Sequence, residues 1–428
     1  MNLVDGQIID AKTCDLVLDT LGQRIQNTLQ KKRLDPEVVI SACSRLVANL
    51  DEAVYLQVIT GLGIDKTLGR RYIDEARSLF SGQSLRERLK TELGEHYGQS
   101  IVFTPLRQSY SVTEQIMPLG VLFHIAAGNA DGLPAFSVLE GLLTGNINIL
   151  KLPAAEGGVS VRLLRDLIEI EPDLAEYIYV FNYSSRDIVQ LSKLIALADA
   201  VVMWGGAEAV SALRRLVPPN TRLIEWGHKV SFAYVTARGL SEAGLTGLAN
   251  NIAETGQLLC SSCQGIFVDT DDPAVIDDFC RRFLPVLETV MQTHAKKTDI
   301  GIETQVALQL YCEELESLYQ NSRVFKGNSC SLIAYPDSHL NPAIQFGNAW
   351  VRALPRTKLL PVLRPYKNYL QTAGLLCGED ERAELTRLLW QSGVVRVCPG
   401  ERMSSAYNGA PHDGEYPLRR YTRIVCAE

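Results

Sequence analysis

The chain has 428 residues, enough for roughly two to three domains. An apolar share of 46% and a charged share of 21% are ordinary for a globular protein with a sizeable core. With 42 basic against 49 acidic residues the net charge is -7, which argues against a sequence-independent nucleic-acid binder but leaves room for a local phosphate pocket. The ten cysteines, spread from Cys14 to Cys426, lack the dense spacing of a disulfide scaffold. No signal peptide is evident in the opening residues, so reduced thiols in a cytoplasmic protein are expected.

Residues 1–99 read as a helical segment packed on the domain that follows. In LDPEVVISACSRLVANL, Asp35 and Pro36 stand where a helix should begin, ahead of apolar positions at helical spacing. In GQSLRERLKTELGEHY, Ser84 is the expected N-cap, with Glu87 three residues on. Residues 100–117 shift toward alternation and predict a two-stranded ribbon outside the main core.

From residue 118 the short apolar runs VLFHIAA, INILKL, YIYVFNY, AVVMW and RLIEW alternate with helix-like segments. That pattern predicts βαβ units and a parallel sheet covered on both faces, the architecture of a dinucleotide-binding domain over 118–229. The apolar stretch 116–150 is too interrupted by Pro118, Asn129, Asp131, Pro134, Gly145 and Asn146 to be a membrane span. A second α/β domain is expected over 230–398, and a turn-rich, then strand-like return over 399–428.

The stretch ETGQLLCSSCQGIFVD places Cys260 and Cys263 between a helix-like segment and a short apolar strand. A zinc site calls for a second pair or a nearby His pair, and the other cysteines and the six histidines lack that spacing; no metal is expected. A thioredoxin-like motif would sit at a strand-to-helix junction, the reverse of the order here. Two readings stay open from the residues alone: small buried thiols at a helix end, or a nucleophile displayed ahead of a strand.

The segment IMPLGVLFHIAAGNADGLPAFSVLEGLLTGNINILKLP resembles the first cofactor-domain strands of the aldehyde dehydrogenase superfamily, through Pro118, Gly120, Val121, Asn129, Gly145, Asn146 and Lys151, with Leu152 inserted before Pro153. WGGAEAV, IEWGHKVSFAYV and the Gly-Gln-x-x-Cys run fall where that superfamily has its cofactor-facing helix start, its Glu-Leu-Gly-Gly-Lys stretch and its nucleophile. CSSCQGIFV, WGHKVSF, YLQTAGL and PHDGEYPLRR together are similar to the LuxC-like long-chain acyl-CoA reductases of bacterial luminescence.

The resemblance, covering roughly residues 80–428, implies an α/β aldehyde-dehydrogenase-like fold: a Rossmann-type cofactor domain, an α/β catalytic domain and a small β oligomerisation ribbon. It implies reduction of an acyl-CoA or acyl-carrier-protein thioester, with a fatty acyl group, to the aldehyde through an acyl-cysteine. Cys260 would be the nucleophile and Asn129 the oxyanion donor beside the Cys260 N–H. Glu225 falls at the general-base position of hydrolysing relatives, a role at odds with a thioester that must survive water. Lys151 would contact the adenosine ribose or its phosphate, and Gly205 and Gly206 would let the backbone approach the pyrophosphate. An acid often found three residues after that lysine in NAD-preferring members is replaced by Ala154, with Glu156 two further on, so NADPH is expected, with NADH as the alternative. His228, where the wider family has glycine, would be a proton donor, a CoA contact or a structural histidine; His412 and Asp413 sit in a turn, where a structural role is the expectation. Expected partners are the acyl thioester, an acyl-transferring or acyl-activating enzyme, and further copies of the chain, with no nucleic acid. A CoA-acylating aldehyde dehydrogenase, an acyl-phosphate reductase and an acyl-receiving scaffold are the competing readings.

Overall fold

A computed structural model describes residues 1–61, 66–126, 132–153, 158–294 and 300–428. They divide into two compact units, Met1–Gly227 together with Asn408–Glu428, and His228–Tyr407.

The first unit opens with a hairpin, β1 (Asn2–Val4) and β2 (Gln7–Ile9), where the sequence reading expects helix. Asp5 and Gly6 both take positive φ, the conformation that a two-residue hairpin turn requires. Helices α1 (Ala11–Leu29), α2 (Pro36–Asn49), α3 (Glu52–Gly61), α4 (Lys66–Leu79) and α5 (Gly82–Leu93) follow. Asp35 caps α2, accepting from the Glu37 N–H at 2.9 Å, with Pro36 in the first turn. The cap of α5 is Ser81 and not Ser84: the Ser81 hydroxyl accepts from the Ser84 N–H at 3.2 Å, which places Ser84 inside the first turn.

Next come the ribbon strands β3 (Ser100–Phe103) and β4 (Val112–Pro118), paired antiparallel. The parallel strands β5 (Val121–Ile125), β6 (Ile147–Lys151), β7 (Ile178–Phe181), β8 (Ala200–Trp204) and β9 (Arg222–Trp226) alternate with α6 (Leu133–Leu143), α7 (Val159–Ile170), α8 (Ile188–Ala196) and α9 (Ala207–Arg214). The sheet order is β2-β1-β7-β6-β5-β8-β9. Every residue of β6 and β7 is buried, as continuous apolar strands covered on both faces should be. Chain order runs outward from β5 through β6 to β7, then resumes on its other side with β8 and β9. The crevice beyond the carboxyl ends of β5 and β8 is therefore the topological switch point, where open α/β sheets bind ligands.

The second unit has its own sheet, with β10 (Val230–Val235), β11 (Cys263–Val268), β12 (Arg323–Lys326), β13 (Ser331–Tyr335), β14 (Asn348–Ala353), β15 (Leu370–Leu376) and β16 (Arg396–Pro399) in the order β12-β13-β14-β11-β10-β15-β16. All neighbours but β12 and β13 are parallel. Its helices are α10 (Glu242–Thr255), α11 (Pro273–Thr293), α12 (Ile300–Gln320), α13 (Leu359–Leu363) and α14 (Glu379–Ser392). After Tyr407 the chain returns to the first unit through α15 (Pro417–Arg420) and β17 (Thr422–Ala427). β17 pairs with β4, so the expected two-stranded ribbon is a three-stranded sheet, β17-β4-β3. Among the described residues no helix is long and apolar enough to cross a membrane.

Candidate active site

In the second unit, α10 stops at Thr255 because Gly256 takes the left-handed conformation that closes a helix. Gln257 is left-handed too, at φ 64°, a conformation that side-chain-bearing residues adopt only when their surroundings hold them there. Its buried amide does the holding: Nε2 donates to the carbonyls of Cys263 at 3.0 Å and Asn348 at 3.3 Å, and Oε1 accepts from the Gly347 N–H at 3.1 Å. Further on, the Leu259 N–H donates to the Ser262 hydroxyl at 3.1 Å, and the Cys263 N–H to Asn251 Oδ1 at 3.0 Å. The loop ahead of β11 is thus fixed at both ends by side chains.

Cys260 sits half-buried in that loop. Its carbonyl accepts from the Ser231 hydroxyl at 2.7 Å, and its Sγ receives the Gln371 Nε2 donor at 3.2 Å. Cys263, three residues on, is fully buried as the first residue of β11 and donates to the Gly265 carbonyl at 3.3 Å. Burial pushes its thiol up to about 12. The two cysteines are therefore different chemical objects: one accessible and hydrogen-bonded at sulfur, one protonated and enclosed.

In the first unit the sequence-derived residues gather at the carboxyl ends of the parallel strands. Lys151 ends β6, 4% exposed, and its Nζ donates to the Ser185 hydroxyl at 2.7 Å. Burial lowers its pKa, and among the described residues no carboxylate lies within ion-pair distance. A buried cation of this kind favours an anionic ligand. Gly206 is the N-cap of α9, and a Cβ built there would meet nothing within 4 Å, so the approach to the helix N-terminus is open. Both features fit a phosphate-bearing dinucleotide.

Glu225 is engaged by α9: Arg214 Nε and Nη2 each reach one of its carboxylate oxygens at 2.5 Å. His412 packs against Trp204 and Trp226, its ring centre 5.1 Å from each. Asn129, Asp131, Ala154 and Glu156 lie outside the described residues. Among the described residues no group of three or more His, Cys, Asp or Glu is placed to hold a metal ion.

The residues that sequence reading missed are Gln371, Ser185 and Arg214, which contact Cys260, Lys151 and Glu225, and Gln257, which fixes the loop ahead of β11. Gln257 and Gln371 stand inside quoted motifs, yet single amides carry no spacing signal.

Two parallel α/β units, an open helix N-terminus and a thiol displayed ahead of a strand define a protein of aldehyde-dehydrogenase fold. Solved structures agree on the fold. An NAD-dependent aldehyde dehydrogenase from Sinorhizobium meliloti superposes with a TM-score of 0.76 at 14% identity, over 100% of this chain and 94% of that one. An NADP-dependent glyceraldehyde-3-phosphate dehydrogenase from Bacillus halodurans C-125, complexed with NADP, gives 0.73 at 15% identity, over 100% and 98%. More narrowly, the chain belongs to the acyl-CoA reductase (LuxC) family, whose match spans residues 37–424. It is similar to the long-chain acyl-protein thioester reductases of Aliivibrio fischeri, 26% identical over 73% of this chain and 64% of that protein, and Vibrio harveyi, 28% identical over 82% and 72%. The match thus spans less than two thirds of the Aliivibrio fischeri protein's length.

Proposed function

We propose that the chain reduces a fatty acyl thioester to the aldehyde through an acyl group carried on Cys260, with NADPH as reductant. The observation that carries the reading is the contrast within the cysteine loop: a half-buried, sulfur-solvated Cys260 beside an enclosed Cys263. Family membership supports the same chemistry, and the names of the curated relatives make an acyl-protein thioester the first donor to test, ahead of acyl-CoA.

In this mechanism the Cys260 thiolate adds to the acyl carbonyl and the donor thiol leaves. The new bond is again a thioester, activated enough to accept hydride. A bound nicotinamide cofactor supplies that hydride. The chain's own groups hold the reacting atoms: the Cys260 N–H and Asn129 are assigned to the developing oxyanion. Lys151 and Ser185 are assigned to a cofactor phosphate, an arrangement that favours NADPH.

The test is transfer of a labelled acyl group from acyl-CoA and acyl-carrier protein to wild type and Cys260→Ala, followed by addition of NADPH. Labelling lost in Cys260→Ala, with aldehyde released by NADPH in the wild type, is expected. Labelling without aldehyde release would favour an acyl-receiving scaffold. Absence of labelling at every chain length would sink the proposal.

A further inference from the structure

The geometry points to Gln371 as a catalytic residue that stabilises the sulfur of Cys260 in its anionic form. The inference rests on reading Cys260 as the nucleophile. Gln371 is the second residue of β15, next but one to β11 in the sheet, and is 6% exposed. Its Nε2 donates to Cys260 Sγ at 3.2 Å, inside the range for a hydrogen bond to sulfur.

Its place is fixed from both sides. The neighbouring Thr372 N–H donates to the Ser231 hydroxyl at 3.0 Å, and that hydroxyl donates to the Cys260 carbonyl at 2.7 Å. One β10 serine thus ties the backbone of Cys260 to the strand that presents the amide to its sulfur.

A hydrogen bond to the charged form of a group favours that form. The sulfur is anionic twice in the cycle. It is a thiolate when it attacks the acyl carbon. It becomes one again when the thiohemiacetal collapses: the oxyanion's electron pair forms the aldehyde carbonyl, the C–S bond breaks, and its electron pair returns to sulfur. An amide N–H serves both moments. It has no basic site to draw a proton from water, as a histidine would, so the acyl-enzyme is not exposed to base-catalysed hydrolysis from this side.

The experiment is the pH dependence of iodoacetamide alkylation, read at the Cys260 peptide by mass spectrometry so that the exposed Cys312 and Cys426 do not interfere. Gln371→Met keeps the volume and removes the donor. Its alkylation midpoint is expected about one pH unit above wild type, with an unchanged plateau rate. Gln371→Glu, which sets a like charge beside the sulfur, is expected to move the midpoint up as well and covers the case where the methionine variant does not fold. A wild-type midpoint in either folded variant would overturn the assignment. Alkylation needs neither acyl donor nor cofactor, so failure here is separable from failure of acyl transfer to Cys260.

Discussion

Arg214 meets Glu225 with both arms of its guanidinium, and under the proposed reaction this contact is expected to bear on the fate of the acyl group. A carboxylate free to take a proton from water would turn a thioester into an acid before it could be reduced. Held by a two-pronged donor, Glu225 is turned toward α9. The Arg214 side chain is 64% exposed, so solvent screens the pair and its loss should leave the fold intact. Under the proposed reaction, Arg214→Ala is expected to raise the ratio of free acid to aldehyde roughly tenfold, and Arg214→Ala with Glu225→Gln to restore it. Chromatographic product ratios check this; an unmoved ratio in the single variant would leave the pair as surface decoration. At this scale the sequence singled out Cys260 through the family resemblance and its offset from the strand that follows. It did not point to Gln371 or Arg214, because a partner four strands or one helix away leaves no local pattern.

Elements were more legible than contacts. Periodicity and Pro36 identified α2, and alternating apolar runs identified β5 to β9. The hairpin β1–β2 was missed although its Asp-Gly turn was visible, since three-residue strands are too short to show a period. Nor does hydrophobic pattern show the polar chain joining β5, α6 and β6. His124 in β5 lies between the Ser137 hydroxyl at 2.8 Å and Asn148 Oδ1 at 3.0 Å, and Trp204 Nε1 donates to Ser137 at 3.2 Å. Asn148 is an acceptor there, so Nε2 carries the proton and Nδ1 accepts from Ser137. Gly141 makes the approach possible, since a Cβ there would stand 1.8 Å from Asn148 Oδ1. Burial holds His124 down at about 4. The unfolded chain takes up a proton near 6.5 while the folded one does not, so stability is present above that pH and falls on acidification toward 4. The span corresponds to about 3 kcal/mol. Urea unfolding of wild type is expected to show this loss between pH 6.5 and 4, with a flatter profile in His124→Gln. Parallel profiles would place the acid sensitivity elsewhere.

At the scale of the whole molecule, the sheet β17-β4-β3 is left with open outer edges among the described residues. The register Thr422↔Pro118 through Ala427↔Thr113 occupies only one edge of β17. On β17, which also carries the exposed Arg423, Ile424 is 71% exposed, and on β3 Val102 is 65% exposed. Isolated chains blunt such edges with charge, proline or a cover, because an open edge templates further pairing. Here Pro118 lies on the inner strand β4, leaving both outer edges unblocked by proline. We take the cover to be a second copy of the chain, since an identical edge offers matching length and pattern. Light scattering is expected to give wild type a mass of at least two chains. Ile424→Lys with Val102→Lys sets cations along both outer strands and should lower that mass at equal concentration, while the melting temperature of each unit changes little. A wild-type protein that scatters as a single chain would show instead that the exposed sheet is tolerated unpaired.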